Sequence, residues 1–143
     1  MIRVELNDQI DRPSDEVFSY LSDFRNNPQW QSGMREIKIT SDGPLAVGST
    51  YDQVASFLGR DVISSFEVID YEPGRLVKAT SRAGSFPITF TRRVAPLDNG
   101  SDVTAVIEGD STGFFKLAEP LMQRVVQRSI RNDYRKLKEV LEV

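Results

Sequence analysis

The sequence predicts an α+β fold, a curved antiparallel sheet of seven strands wrapped around one long C-terminal helix, with two short helices after the first strand. Three observations predict it. Apolar and polar residues alternate at period two over residues 2–11 and again in six short runs further on. Turn formers separate those runs: Asp42-Gly43-Pro44, Gly48, Gly59, Pro73-Gly74, Ala83-Gly84 and Asp98-Asn99-Gly100. After residue 114 the apolar period becomes that of a helix.

Residues 2–11 place Ile2, Val4, Leu6 and Ile10 on one face and Arg3, Glu5, Asn7, Gln9 and Asp11 on the other, a strand with one wet side. Pro13-Ser14-Asp15-Glu16 then starts a helix, with proline and acids where the helix dipole favours them. Val17, Phe18 and Leu21 form its apolar stripe, and Asn26-Asn27-Pro28 breaks it. Pro28-Gln29-Trp30-Gln31 begins a second short helix that Gly33 stops. Strands follow at 35–41, 49–58, 61–71, 75–82, 86–95 and 101–110, joined as a meander. Asp98-Asn99-Gly100 reads as a hairpin turn, a simpler use of that stretch than the glycosylation sequon Asn99-Gly100-Ser101.

The final helix is expected over 114–142, with Pro120 kinking its first turn. Met122, Val126, Ile130, Leu137, Val140 and Leu141 share one face, and Arg124, Arg128, Arg131 and Arg135 share the opposite one. That basic face serves solvation or contacts a protein or an anionic surface. A helix about 10–12 Å across cannot fill the concavity of so wide a sheet, and the remainder becomes a pocket.

Composition narrows the chemistry. A chain of 143 residues is expected to form one domain, 1–143, and 39% hydrophobic with 27% charged residues is globular. A net charge of −3 argues against nucleic acid as a partner. Without cysteine there are no disulfides, thiolate nucleophiles or thiolate metal sites, and without histidine the commonest general base and metal ligand are missing. No phosphate loop, dinucleotide fingerprint or nucleophile elbow occurs, and Glu108-Gly109-Asp110 lacks calcium-loop spacing. No metal and no cofactor are expected. Charges interleave the first eight residues, and no apolar run approaches the ~18 needed for a transmembrane segment. The expected location is cytoplasmic.

The informative positions are polar residues inside apolar series. Arg92 stands in line with Phe86, Ile88, Phe90 and Val94; Gln53 with Tyr51, Ala55 and Phe57; Ser64 with Val62, Phe66 and Val68. Asp8 interrupts Leu6 and Ile10, and Asp133 falls in the apolar face of the last helix. Buried, each needs a partner. Either Arg92 pairs with Asp133 or Asp8, or strand ends carry these groups into solvent, or Arg92, Gln53, Ser64 and Tyr51 point into the pocket and orient a ligand. Trp30 is a core anchor or a lid on the pocket mouth.

Ile10-Asp11-Arg12-Pro13-Ser14-Asp15-Glu16-Val17-Phe18, Asn26-Asn27-Pro28-Gln29-Trp30, Val47-Gly48-Ser49-Thr50-Tyr51, Phe66-Glu67-Val68-Ile69-Asp70-Tyr71-Glu72-Pro73 and Leu137-Lys138-Glu139-Val140-Leu141-Glu142 carry a resemblance. In this order they resemble the polyketide cyclase/dehydrase-like members of the SRPBCC superfamily, which also holds START lipid-transfer domains and the pollen-allergen fold. The resemblance covers essentially the full chain and implies a helix-grip fold. It also implies a ligand between the concave face and the last helix. That nominates Tyr51, Gln53, Phe57, Ser64, Phe66, Phe86, Ile88, Phe90, Arg92, Met122 and Val126, with Trp30 added in its lid role. The leading expectation is a binder or carrier of a small hydrophobic molecule: a lipid, polyketide, sterol or quinone-like compound. One rival is a polyketide cyclase or dehydratase in which Arg92 polarises a carbonyl and Tyr51 or Asp133 moves protons. Another is a protein-interaction module using the arginine face.

Overall fold

The alternation of residues 2–11 becomes β1 (Ile2–Ile10), whose apolar residues face the core. The computed structural model describes residues 2–57, 59–82, 87–109 and 119–143, the side chain of Phe57 excepted. After β1 come α1 (Ser14–Ser22), a 3-10 turn (Phe24–Asn26) and α2 (Asn27–Trp30). The strands β2 (Met34–Ile39), β3 (Thr50–Phe57), β4 (Arg60–Glu72), β5 (Leu76–Ser81), β6 (Ile88–Leu97) and β7 (Gly100–Gly109) follow, and then α3 (Glu119–Leu141). All seven strands form one antiparallel sheet in the order β1-β7-β6-β5-β4-β3-β2. The expected Ala83-Gly84 turn, the strand start at 86, Asp110 and the helix start at 114–118 lie outside the described residues. So does the segment before Glu119 on which the expected kink at Pro120 depends.

The corner after β1 differs from expectation. α1 ends at Ser22, because Asp23 is extended (φ −88°, ψ 96°) and its carboxylate accepts the Arg25 N–H at 3.2 Å. Asn26-Asn27-Pro28 therefore opens α2 and does not close α1; Pro28 sits in the first turn, where a missing N–H has no partner to lose. Gly33 then turns the chain into β2 with φ +80°, and a Cβ there would stand 2.7 Å from the Ser56 carbonyl oxygen. The close approach is used: the Ser56 N–H donates to the Gly33 carbonyl at 2.7 Å.

Two register shifts bend the sheet, one between Met34 and Glu36 against β3 and one between Val68 and Asp70 against β5. β6 runs on to Leu97 through Pro96. Its pairing with β5 ends at Arg93, so proline's missing N–H faces no neighbour on that side. Asp98 and Asn99 form the hairpin turn to β7.

α3 packs against β1 and α2. It is laced to the edge strand by side chains that bond backbone. Gln123 accepts the Arg3 N–H at 3.1 Å and donates to the Arg3 carbonyl at 2.6 Å; Lys138 donates to the Gln9 carbonyl at 2.9 Å. Gln123 thus occupies part of the exposed edge of β1 as a further strand would. Tyr134 and Leu137 bury against the core formed with Val17, Leu21, Val103 and Ala105. Arg124, Arg128, Arg131 and Arg135 are all exposed. Among the described residues no helix is long and apolar enough to cross a membrane.

Leu137 is 0% exposed and Leu121, on the same helix, is 65% exposed. Leu137→Ala is expected to cost about 2–5 kcal/mol of unfolding free energy, and Leu121→Ala to stay within about 0.5 kcal/mol. Urea denaturation of both variants checks this; equal losses would mean α3 is not anchored as described.

Candidate ligand-binding site

Arg92 sits on the concave side of β6 between Val77 of β5 and Ala105 of β7, both fully buried. Those small neighbours leave room for a long side chain to cross the core, and Arg92 is only 3% exposed. Its Nη1 donates to the Leu21 carbonyl at 2.8 Å and to Asn27 Oδ1 at 3.0 Å. Leu21 lies in the last turn of α1, where a carbonyl has no helical partner, so the guanidinium supplies one. The Arg92 Cζ stands 4.9 Å from the ring centroids of Trp30 and Phe90 and 5.7 Å from that of Phe24. Each such contact contributes about 0.5–2 kcal/mol when desolvated.

The expected pairing of Arg92 with Asp133 or Asp8 is not what forms. Asp8 accepts the neighbouring Gln9 N–H at 2.8 Å, and Asp133 accepts the Ser32 N–H at 2.9 Å. Both carboxylates are committed to backbone donors, and the guanidinium Nη1 already has two neutral acceptors.

Beside Arg92 four aromatic rings close on themselves. Phe24 stacks on Tyr51 at 4.5 Å, Tyr51 on Phe66 at 5.3 Å, Phe66 tilts against Phe90 at 5.7 Å, and Phe90 meets Phe24 edge-on at 5.9 Å. The register creates this cluster by setting Tyr51 opposite Phe66 across β3 and β4. The Tyr51 hydroxyl is buried with no hydrogen-bond partner. Burial pushes its pKa far above the ordinary tyrosine value, against the opposing charge of Arg92, so it stays a neutral hydroxyl. Burial also raises the Tyr134 hydroxyl, opposed by the charge and hydrogen bonding of Arg92. Asp133 is raised by burial, with the Ser32 N–H holding it back.

Between the concave face and α3 these residues leave a cavity of about 420 Å³. From the sheet it is lined by Tyr51, Gln53, Phe66, Ile88, Phe90 and Arg92, and from α3 by Val126 and Asp133, all singled out from the sequence. Trp30 is not in the lining: it is buried edge-on against Tyr134 at 4.9 Å, a core anchor and not a lid. Ser64 is buried opposite Gln53 without reaching the cavity, and Met122, half-buried on α3, also stands off it. Phe86 and the Phe57 side chain lie outside the described residues.

Sequence reasoning missed Tyr134, Asn27, Gln31 and Ile107 in the lining. Tyr134 was within reach, since it stands four residues after Ile130 on the same stripe. Asn27 carried no signal, being a polar residue beside a proline in what reads as a break. A second hollow of about 360 Å³ opens between the 3-10 turn and the loop after β2. It shares Tyr51 but holds no buried charge, its Asp23–Arg25 pair (2.9 Å) being part-exposed. Among the described residues no cluster of acids could hold a metal ion.

Comparisons with known proteins bear on the family and the fold. Residues 1–142 match the family model described as polyketide cyclase / dehydrase and lipid transport. No curated protein matches. Among solved structures, TTHA0849 from Thermus thermophilus superposes with a TM-score of 0.82 at 18% identity, over 96% of this chain and 94% of that one. The Zhui aromatase/cyclase from Streptomyces sp. R1128 gives 0.75 at 16% identity, over 96% and 91%. The di-domain aromatase/cyclase BexL of the BE-7585A biosynthetic pathway gives 0.79 at 16% identity, over 99% of this chain and 47% of that one. At these identities the likeness is one of fold.

The raised Asp133 fixes the sign of a pH effect. A carboxyl whose folded-state pKa exceeds its unfolded one contributes its full stability below the ordinary aspartate range and loses it as pH rises through the folded value. Asp133→Asn keeps an oxygen for the Ser32 N–H and removes the charge. The melting temperature of the native protein, relative to Asp133→Asn, should therefore fall as pH rises from about 3 through and above the ordinary aspartate range. Parallel melting curves across that range would show that burial does not oppose the charge.

Proposed function

The chain belongs to the polyketide cyclase/dehydrase and lipid transport family, and from that premise we propose that it binds and carries a small hydrophobic molecule in the cavity between the concave face and α3. The observation that carries this reading is the cavity itself. Its volume of about 420 Å³ falls in the size class of small-molecule sites, aromatic and aliphatic side chains form much of its wall, and the polar groups between them include a buried hydroxyl, Tyr51, without a partner. A lipid, polyketide, sterol or quinone-like compound suits such walls.

A second reading, a cyclase or dehydratase acting on a polyketide-like chain, draws on a different observation. Arg92 and Asp133 face one cavity without pairing. Arg92 would stabilise negative charge developing on a carbonyl oxygen, and Asp133, biased toward its protonated form, would supply a proton. Tyr51 would hold its proton and serve as a hydrogen-bond donor. The third reading, a protein or anionic-surface contact through Arg124, Arg128, Arg131 and Arg135, has only their exposure in its support.

Native mass spectrometry of gently purified protein is expected to show a reproducible extra mass that disappears on denaturation. Val126→Trp, which fills the cavity from α3, should remove that mass and weaken binding of the apolar probe N-phenyl-1-naphthylamine about tenfold or more. A clean mass together with probe binding unaffected by Val126→Trp would overturn the reading. Arg92→Ala then separates carrier from cyclase: a carrier loses affinity, whereas a cyclase loses turnover with binding partly kept.

A further inference from the structure

Resting on the cavity as a ligand site, we infer that its occupant is an apolar monoanion, an aryl carboxylate whose carboxylate seats against Arg92. The guanidinium is buried, and among the described residues no carboxylate pairs with it. The hydrogen bonds from Nη1 end on neutral acceptors, a backbone carbonyl and an amide oxygen, and the neighbouring Tyr134 is a neutral phenol as well. Among the described residues, then, no acidic group complements this positive charge withdrawn from water.

A neutral donor in the same cavity wall also lacks an acceptor: the Tyr51 hydroxyl is buried without one. A phenol held neutral donates readily. Asp133 is the one acid lining the cavity among the described residues, and it does not neutralise the guanidinium: it accepts the Ser32 N–H, forms no ion pair with Arg92, and has its charge opposed by burial. A carboxylate brought by the ligand supplies both the charge and the acceptor oxygens. The rest of the molecule is set by the walls. Phe66 and Phe90 present ring surfaces, with Ile88, Ile107 and Val126 around them, which fits a flat hydrocarbon body. Gln31 Oε1, an unpartnered buried acceptor in the same lining, suits a hydroxyl on that body.

The test is calorimetric titration with 2-naphthoate and its neutral near-isostere 2-naphthamide at about pH 7, where the acid is ionised. Naphthoate should bind about tenfold or more tighter. Arg92→Met should bring the two within about twofold, and Arg92→Lys, which keeps the charge, should retain part of the preference. Because Arg92 also joins α1 to α2, the Trp30 indole N–H resonance, the only one in the chain, serves as the check that each variant is folded. Equal binding of both probes to the native protein, or tighter binding of the amide, overturns the anion inference and leaves the cavity reading standing. A preference that survives in folded Arg92→Met also overturns it. Failure of both probes to bind, alongside failure of N-phenyl-1-naphthylamine, overturns the cavity reading and this inference with it.

Discussion

The buried guanidinium of Arg92 is the constraint on which the rest of the site depends. It reaches from the centre of the sheet to the end of α1 and the start of α2, and so fixes the corner that carries Phe24, Asn27 and Trp30. Phe24 placed there completes the ring of aromatics with Tyr51, Phe66 and Phe90, and Trp30 supports Tyr134 on the long helix. One side chain thus joins sheet, corner and helix. Its cost is a desolvated charge, which neutral acceptors and three aromatic faces offset only in part.

The position of α3 decides how much of the concavity stays empty. Gln123 and Lys138 bond the backbone of β1, and Glu142 accepts the Asp11 N–H at 2.8 Å, so the helix is held along one edge of the sheet. Its contacts run to β1 and α2, and the concave faces of β3, β4 and β6 are left to line the cavity. A helix centred over the sheet would have buried more apolar area and closed the space. The side-chain bonds to an otherwise open strand edge therefore serve two ends: they blunt the edge, and they keep the helix off the aromatic cluster.

Period-two alternation made all seven strands legible, because each strand has a wet and a dry face and the pleat forces that pattern on the residues. The stripe of Val126, Ile130 and Leu137 made α3 legible for the same reason. The end of α1 was not, since Asn-Asn-Pro is the stronger breaker on paper and the actual stop is a side chain of Asp23 bonding its own backbone neighbourhood. The bulges after Met34 and Val68 left no mark either; an extra residue in a strand changes pairing, not composition. Nor could the lacing of α3 to β1 be foreseen, because it joins a glutamine and a backbone 120 residues apart.

The candidate site shows where such reading stops for a physical reason. Arg92, Gln53, Asp133, Asp8 and Ser64 all interrupt an apolar series, and a polar group in such a series needs a partner or an opening. Three of them line the cavity and two do not. What separates them is their surroundings across the sheet and against the helix, not their own series. Arg92 lies between Val77 and Ala105, side chains too small to close the space around it, and Gln53 adjoins the aromatic cluster. Asp8 lies beside Val103 near the edge that α3 covers, and satisfies its oxygen on the next residue. A break in the alternation therefore marks a residue that the core must accommodate, and the neighbours set by register decide whether it is accommodated by packing or by a space that a ligand can fill.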